Sequence, residues 1–477
     1  MKLLRISLLG SALIAALSLG ASYLCAQEEP PAKPAARSYP PLINTTDPDQ
    51  DSSANTDALQ PDTRPLTGIQ DSSLGTQTFR HSFWIPGFEY VGQAQNRNLN
   101  GGSSNFWNAN NYLLANLSLL DTWAHSQFSL NYSGGGFVST DSSVGGGNFQ
   151  ELTAMHLSEW GRWQVLFFDQ FSYLPEASFG FGGGTNLGTP GVSGALTPTI
   201  PPLASFVSPQ QNIFGSQGPR YTDSFAAQAT YALSRRTSLT ASGSYGILNF
   251  VDVGNYGLSN FLGNVGLDYQ LTRNDTIGAF YRFTAYHYSS NPQAIGDHDF
   301  SIAYGRKITG RLALQLSGGP EYVIFRVPIS NEDHRLLAGA SAALTYGFER
   351  GNLVLSYSYG ASGGSGVLVG AIGDQISLSA SHKFGRVWSG LGSFGFARNA
   401  NLATLGLSNS QQSFNSWFVT AGMSRPLGPQ ANLSFGYSGR FQSSSPGTCL
   451  SGVCGQSFNQ HQISLGFQWN TRPFVIH

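Results

Sequence analysis

Residues 461–469 read HQISLGFQW, and large apolar side chains recur in this stretch at every second position. Ile463, Leu465, Phe467 and Trp469 share one parity, whereas glutamine, serine and glycine occupy the other. Alternation with a period of two is typical of a β-strand that has one apolar face. In a soluble sheet that face packs on a protein core, and in a membrane barrel it contacts lipid.

The same alternation recurs from about residue 80 to the end of the chain. Clear examples are SLTASGSYGIL at 238–248, TIGAFYRFTAY at 276–286, NLVLSYSYG at 352–360 and ANLSFGYSGRF at 431–441. The connections alternate in length, with short ones such as SRRT and TRND, and long ones such as NFVDVGNYGLSN, SSNPQAIGDH and ASGGSGVLVGAIG. Strict short–long alternation predicts an antiparallel up-and-down barrel with tight turns at one rim.

The composition favours a barrel that is partly covered by lipid. Charged residues make up only 11% of the 477 residues, against about 25% in ordinary soluble domains. A large soluble protein needs a charged surface, whereas a surface in contact with lipid does not. The net charge of −1 provides no field that would attract nucleic acid, so no nucleic-acid partner is predicted.

Over about residues 80–477 this organisation resembles bacterial (Gram-negative) outer-membrane β-barrel proteins of the porin-like type, without pointing to a specific family. The resemblance implies an all-β, transmembrane, antiparallel up-and-down barrel with short periplasmic turns and long outer loops. It also implies contact with outer-membrane lipids and recognition of the last strand by the barrel-assembly machinery. Such chains commonly end on an aromatic residue, so the final strand ends either at Trp469 or at Phe474.

Strand parity predicts the number of strands. Seventeen strands are predicted between about residues 110 and 469, and a periplasmic N-terminus requires one more ascending strand before them. The segment 80–95 is the candidate, although Pro86 and Gly87 make it irregular. The prediction is therefore about eighteen strands, with sixteen as the alternative, because bacterial barrels have even numbers.

The N-terminal region, residues 1–79, is predicted to contain no barrel strand. Residues 1–26 have a basic start and an apolar stretch, and they predict a signal peptide cleaved after Ala26. A lipoprotein signal that uses Cys25 is the alternative. Residues 27–79 are rich in Pro, Ser and Asp and predict a disordered periplasmic leader that is too short and polar to form a plug domain.

Cofactor and enzyme chemistry find little support in the sequence. Cys449 and Cys454 lie in a Gly/Ser-rich loop and predict a disulfide, because two thiols are too few for a metal site. No metal and no cofactor are predicted, and the usual hydrolase and nucleotide-binding motifs are missing from the sequence. A lipid-facing Ser–His pair near His156 or His382 is the enzymatic alternative.

The polar parity predicts the inner wall of the barrel. Its side chains are mostly small hydroxyl and amide groups, which would keep a wide barrel open and wet. The few charges at inward parity are candidate lumen or selectivity residues: Asp268, Arg282, Glu321, Lys383 and Arg440. Arg282 lies near the middle of its strand, where it acts either as a selectivity group or as a structural partner of a carboxylate.

The stretch 181–219 contains no charged residue in 39 positions. Such neutrality fits a loop folded into the lumen as a constriction, and a loop packed on neighbouring surface loops is the alternative. The sequence thus predicts a cell outer-membrane channel, not an enzyme, for passive, weakly ion-selective diffusion of small polar solutes. The competing hypothesis is a non-conducting barrel that displays loops for adhesion or assembly, and the sequence does not determine the oligomeric state.

Overall fold

The structure is a computed structural model that describes residues 66–67, 82–99, 107–140, 146–174, 213, 219–251, 256–289, 291–329, 332–385, 387–402, 413–445 and 457–476. All of them belong to one compact unit, Ser38–His477. Over these residues the chain forms nineteen β-strands and one 3₁₀ turn at Gly364–Gly366. None of its described segments is a helix of the length and apolarity that crossing a membrane requires.

The strands follow one another along the chain with few other elements between them. They are β1 (Ser82–Leu99), β2 (Trp107–Thr122), β3 (Ser126–Ser139), β4 (Gly146–Trp160), β5 (Trp163–Leu174), β6 (Arg220–Ala232), β7 (Thr237–Phe250), β8 (Leu258–Gln270), β9 (Asp275–Tyr288), β10 (Ala294–Lys307), β11 (Leu312–Ile329), β12 (Glu332–Phe348), β13 (Gly351–Ser362), β14 (Ala371–Phe384), β15 (Trp388–Asn401), β16 (Ser413–Pro426), β17 (Ala431–Ser444), β18 (Phe458–Asn470) and β19 (Phe474–Ile476).

Strands β1 to β18 close into a single antiparallel barrel. Each strand pairs with the next in sequence, and β1 pairs with β18 from Gly87–Asn470 to Leu99–Phe458. Closure leaves no unpaired edge, which is the condition for a sheet to cross a membrane. The predicted fold class is confirmed, and the count of eighteen barrel strands is confirmed over the alternative of sixteen.

The C-terminus combines both predicted endings of the last strand. Strand β18 ends at Asn470, directly after Trp469, and the short strand β19 then resumes pairing with the start of β1. Phe474 stacks on Trp84 with ring centroids 4.9 Å apart. The irregular stretch at Pro473 therefore shifts the chain along β1 without ending its pairing.

The two faces of the wall carry the predicted residue types. Leu355 and Leu465 point outward and are 36% and 55% exposed, while their neighbours Ser356 and Ser464 point into the barrel. Side chains alternate because successive residues of a strand point to opposite faces. The apolar face is therefore the outside of the barrel, where lipid would cover it.

An aromatic belt surrounds the rim that carries the short connections, which we call the short-turn end. Exposed tryptophans lie on or beside the turns of this rim: Trp123, Trp160, Trp163 and Trp388. Trp163 also packs on Tyr231 with ring centroids 4.6 Å apart. Aromatic girdles of this kind mark the boundary between membrane and water. We call the opposite rim the long-loop end.

Candidate functional site

Pairs of hydroxyl groups line much of the inner wall. The oxygens of Ser172 and Thr222 are 2.6 Å apart, and those of Ser317 and Ser341 are 2.7 Å apart. Ser389 and Ser424 form a similar pair at 2.6 Å. These pairs arise because residues opposite each other on neighbouring antiparallel strands share a face. Short hydroxyl side chains bond to each other at the wall and leave the centre of the barrel free of their bulk.

A charged row crosses three neighbouring strands near the middle of the wall. Asp299 on β10 lies opposite Arg282 on β9 and opposite Glu321 on β11. Arg282 donates a hydrogen bond from Nη2 to Asp299 Oδ2, and Ser301 Oγ donates to Asp299 Oδ1 at 2.5 Å. Asp297 is the next inward residue of β10. The structure thus unites two predicted lumen residues, Arg282 and Glu321, and adds two aspartates to them.

The sequence pattern placed Asp297 wrongly. The stretch SSNPQAIGDH, which includes Asp297, was predicted to be a long connection, whereas β10 already begins at Ala294. Pro292 and Gly296 are the residues that favour a loop there, yet Gly296 is paired with Ala285 in the ladder. Ile295, Asp297 and Asp299 lie at every second position, and this spacing was the available signal that they share one face of a strand.

Glu321 joins strands that are not neighbours in the sheet. Its two carboxylate oxygens accept hydrogen bonds from the backbone N–H of Ala361 on β13 at 3.0 and 3.1 Å. Pairing between β12 and β13 stops at Ala340–Tyr359, so the Ala361 N–H lies beyond the ladder. Gly339 lies between them, and a Cβ there would be 3.8 Å from Glu321 Oε2. Glu321 therefore accepts a hydrogen bond from a backbone N–H that β12 does not pair.

The remaining predicted lumen residues lie at other levels of the barrel. Asp268 is near the short-turn end of β8, and Lys383 is exposed near the short-turn end of β14. Arg440 is buried on β17, within electrostatic range of Arg220 on β6. The five predicted residues therefore line the inner wall at several levels and do not form one compact site.

A group of apolar side chains packs together inside the long-loop end, and we call it the mouth cluster. Its buried members come from the inward faces of β7 to β11 and from the residue that follows β15: Leu248, Leu258, Tyr288, Ile295, Val323, Phe325 and Leu402. The backbone carbonyl of Leu402 accepts a hydrogen bond from Arg335 Nη1 at 3.0 Å. This cluster replaces the polar lining of the wall with a small hydrophobic core.

The connection between β13 and β14, residues 363–370, folds inward onto the mouth cluster. A Cβ added at Gly363 would be 2.6 Å from Leu258 Cδ2, and one at Gly370 would be 2.4 Å from Ile295 Cδ1. Gly370 also has φ of +80°, a conformation that glycine adopts readily. The sequence pattern recognised this stretch only as a long loop. The apolar run from Val367 to Val369 was the available signal that this connection packs against other apolar side chains.

Only Ile213 and Pro219 of the predicted constriction, residues 181–219, are among the residues described. Ile213 is buried and packs against Leu368, Ala371 and Phe414. Ala371 and Phe414 lie on β14 and β16, which are across the strand order from β5 and β6, the strands that this stretch joins. At Ile213, therefore, the stretch contacts the far side of the long-loop end.

Two residues of the predicted leader also contact the wall. Leu66 and Thr67 form a turn, and Thr67 is buried at 2% exposure. At these two positions the chain packs against the barrel wall, and the disorder predicted for residues 27–79 as a whole stays a prediction. The rest of the leader, the signal peptide with its cleavage after Ala26, and the predicted disulfide Cys449–Cys454 lie outside the described residues.

The enzymatic alternative has a partial counterpart on the outer face. Ser158 Oγ lies 2.8 Å from His156 Nε2, and the His156 ring is close to those of Trp123 and Phe167. Ser158 is only 1% exposed, so its hydroxyl is shielded from any substrate, whereas a nucleophile must be reachable. Among the described residues, no group of three or more His, Cys, Asp or Glu side chains could hold a metal ion.

Comparisons with known proteins give matches at the level of structure. No protein-family model matches the chain, and no curated protein does. Similar solved structures include OpdQ of Pseudomonas aeruginosa, with 9% identity, a TM-score of 0.39, and coverage of 81% of this chain and 99% of that chain. OccK5 (OpdH) of the same organism has 12% identity and a TM-score of 0.40 over 81% and 98% of the two chains. OccAB3 of Acinetobacter baumannii has 8% identity and a TM-score of 0.40 over 81% and 99%.

Proposed function

We propose that the chain is an outer-membrane channel through which small polar solutes diffuse passively. The observation that carries this proposal is the closed barrel of eighteen strands with an apolar, aromatic-rimmed outside and a hydroxyl-lined inside. Barrels of about this size are too wide to be filled by their own side chains and retain an aqueous path. Short connections then face the periplasm, and insertion depends on outer-membrane lipids and the barrel-assembly machinery.

The channel has a weak ion preference in this proposal, because charges of both signs face inward. Acidic side chains at inward positions of the described strands include Glu89, Glu151, Asp268, Asp297, Asp299 and Glu321, and basic ones include Arg220, Arg282, Arg335, Lys383 and Arg440. Ions that pass such a wall meet attraction and repulsion in similar measure. A strong preference would need a ring dominated by one sign of charge.

Conductance tests the channel directly. The purified full chain in planar lipid bilayers should give stepwise currents in KCl with a small reversal potential across a salt gradient. In liposome swelling, small neutral polar solutes should enter faster than large ones. Folded protein, verified by its heat-dependent mobility on gels, that passes neither ions nor solutes would contradict the proposal.

A constriction by residues 181–219 belongs to the same proposal. It is supported by the lack of charge in this stretch and by the contact of Ile213 with Phe414 across the long-loop end. Deletion of residues 185–215 should leave the barrel assembled, since β5 and β6 keep their residues, and should raise both conductance and the size of admitted solutes. An unchanged pore in a correctly inserted deletion variant would place the loop outside the conducting path.

A non-conducting barrel that displays loops is the second candidate. It is favoured by one observation: chain segments contact the lumen wall near both ends, at Thr67 and at the 363–370 connection. The deletion variant separates the two functions. A display barrel whose lumen is closed by residues 181–219 should be silent as the full chain and conduct only after residues 185–215 are removed, whereas a channel should conduct in both forms.

A further inference from the structure

A recess in the lumen wall near the short-turn end holds Leu66 and Thr67, and we propose that it is a docking site for the chain's own N-terminal segment. We call it the docking recess, and its wall residues are Asn264, Gly266, Asp268, Gly278 and Gly305. They lie on three consecutive strands, β8, β9 and β10. In a mature exported chain, the occupant would anchor the leader inside the barrel and narrow its periplasmic opening.

Polar contacts fix Thr67 in the docking recess from two sides. Thr67 Oγ1 donates a hydrogen bond to Asp268 Oδ2 at 2.5 Å, and Asn264 Nδ2 donates to the Thr67 carbonyl oxygen at 2.5 Å. The backbone N–H groups of Leu66 and Thr67 point toward the same carboxylate. A carboxylate that accepts the hydroxyl donor of this turn is a specific anchor, because charge-assisted hydrogen bonds are stronger than neutral ones.

Three glycines give the recess its depth. A Cβ added at Gly266 would be 2.2 Å from Thr67 Cβ, and one at Gly305 would be 2.8 Å from Leu66 Cδ2. At Gly278 it would be 2.7 Å from Thr67 Cγ2. Any side chain at these positions would overlap the occupant. Because glycine weakens a strand, three glycines that face inward on adjacent strands indicate a close approach by another segment.

The recess lies far around the barrel from the strand that the leader enters. β8 to β10 are nearly opposite β1 in the ring of eighteen. Strands spaced about 4.8 Å apart and tilted at 35–45° give a barrel roughly 35 Å across. Residues 68–81 join Thr67 to β1, and an extended chain spans up to about 3.3–3.6 Å per residue, so the connection is long enough. Thr67 therefore contacts the side of the barrel that lies nearly opposite β1.

The docking of the leader and the narrowing of the periplasmic opening depend on different observations. Docking rests only on the contacts of Leu66 and Thr67 with the wall. Narrowing also rests on the proposed function, because it matters only if the barrel conducts. A test of docking should consequently have a readout that is independent of current.

Disulfide trapping supplies that readout. In the full chain with Cys449→Ser and Cys454→Ser, the pair Leu66→Cys and Gly305→Cys should form a disulfide on oxidation, detected by mass spectrometry of non-reduced peptides. The matched control keeps Leu66→Cys and moves the second cysteine to Gly373, an inward glycine near the long-loop end whose added Cβ would have only ordinary contacts at 3.7–3.8 Å. Failure of the Gly305 pair to exceed the Gly373 pair would overturn the docking.

Charge repulsion tests the occupant without altering the wall. Thr67→Asp places a second carboxylate against Asp268 and should reduce the trapped fraction several-fold, while Ser72→Asp adds the same charge elsewhere in the leader and should leave it unchanged. In bilayers, Thr67→Asp should also raise the single-channel conductance. Trapping that is equally strong in both variants would overturn the proposed anchor. A chain that is trapped but carries no current would overturn the channel and leave the docking in place.

Discussion

The two ends of the lumen are both contacted by segments outside the barrel strands, but the contacts differ in kind. At the long-loop end, Gly363 and Ile213 belong to segments that meet apolar side chains, among them Leu258 and Phe414. At the short-turn end, Thr67 is held by hydrogen bonds to polar groups. The difference shows how one barrel can hold one segment as part of its core and another as a separable ligand.

The two kinds of contact differ in how much stability is lost when one partner is removed. Apolar burial scales with area and involves many side chains at once, so the mouth cluster is a small core that belongs to the folding unit. A hydrogen-bonded turn depends on a few atoms, so its release costs little elsewhere. We therefore expect substitutions at the mouth to affect the stability of the barrel, and substitutions at the docking recess to affect only the position of the leader.

The largest expected effect is the loss of a mouth-cluster aromatic. Phe325→Ala should lower the free energy of unfolding by about 3–5 kcal/mol, because it leaves a cavity among buried apolar side chains. Urea unfolding in lipid vesicles measures this value. The matched control is Ile324→Ala, the adjacent residue on the lipid face, which is 39% exposed. Equal destabilisation by both substitutions would break the comparison, since the mouth would then not be a core.

A smaller effect is expected at the docking recess. Asp268→Ala should leave barrel unfolding nearly unchanged and weaken the docking of Leu66 and Thr67 by about 1.5–3 kcal/mol, the range for hydrogen bonds to a charged group. The rate of proteinase K cleavage within the leader measures the undocked fraction. Glu349→Ala, which removes an exposed acidic side chain from a turn of the same rim, is the control. An unaltered cleavage rate in Asp268→Ala would mean that other contacts hold the leader.

Much of the fold could be predicted because it is periodic. The alternation of Leu465 with Ser464 and Gly466 identifies a strand and its faces, and repetition of the pattern gives the barrel. The count of eighteen followed from the requirement that strands alternate in direction. Each of these inferences draws on many residues, so an irregular pair such as Pro86 and Gly87 did not change the result.

The contacts inside the barrel could be predicted only in part, because they carry no period. Arg282 and Glu321 were found by parity, but Asp297 was missed because Pro292 and Gly296 suggested a loop. Thr67 was missed since a two-residue turn in a polar leader has no pattern of its own. Gly266 was correctly placed on the inner face, yet its role depends on what approaches it, and that is a property of the folded chain.

A still smaller effect on docking distinguishes the contribution of the Thr67 hydroxyl from that of the side chain's volume. Thr67→Val keeps the volume and removes the donor to Asp268, so docking should weaken by about 1 kcal/mol. Combined with Asp268→Ala, the two effects should not add, because both remove the same hydrogen bond. The same cleavage assay measures the single and double variants. Full additivity would show that Thr67 and Asp268 act independently and would remove the polar anchor from the comparison.

The smallest expected effect concerns the charged row between the two ends. Arg282→Gln removes the positive member of the row and leaves Asp297, Asp299 and Glu321 at the wall, so the preference of the channel should shift toward cations. A unit charge about 4 Å away through water contributes about 1 kcal/mol, and salt reduces this further, so the permeability ratio should change by a few-fold at most.

Reversal potentials in a KCl gradient measure the shift, and it should shrink at higher salt. Arg306→Gln serves as the control, because this exposed arginine lies at the short-turn rim on the outward parity and contacts Asp275. A shift of equal size in both variants would assign the preference to the rim. No shift in Arg282→Gln would make the Arg282–Asp299 pair a structural link between β9 and β10, and would leave the two ends of the lumen as the places where passage is controlled.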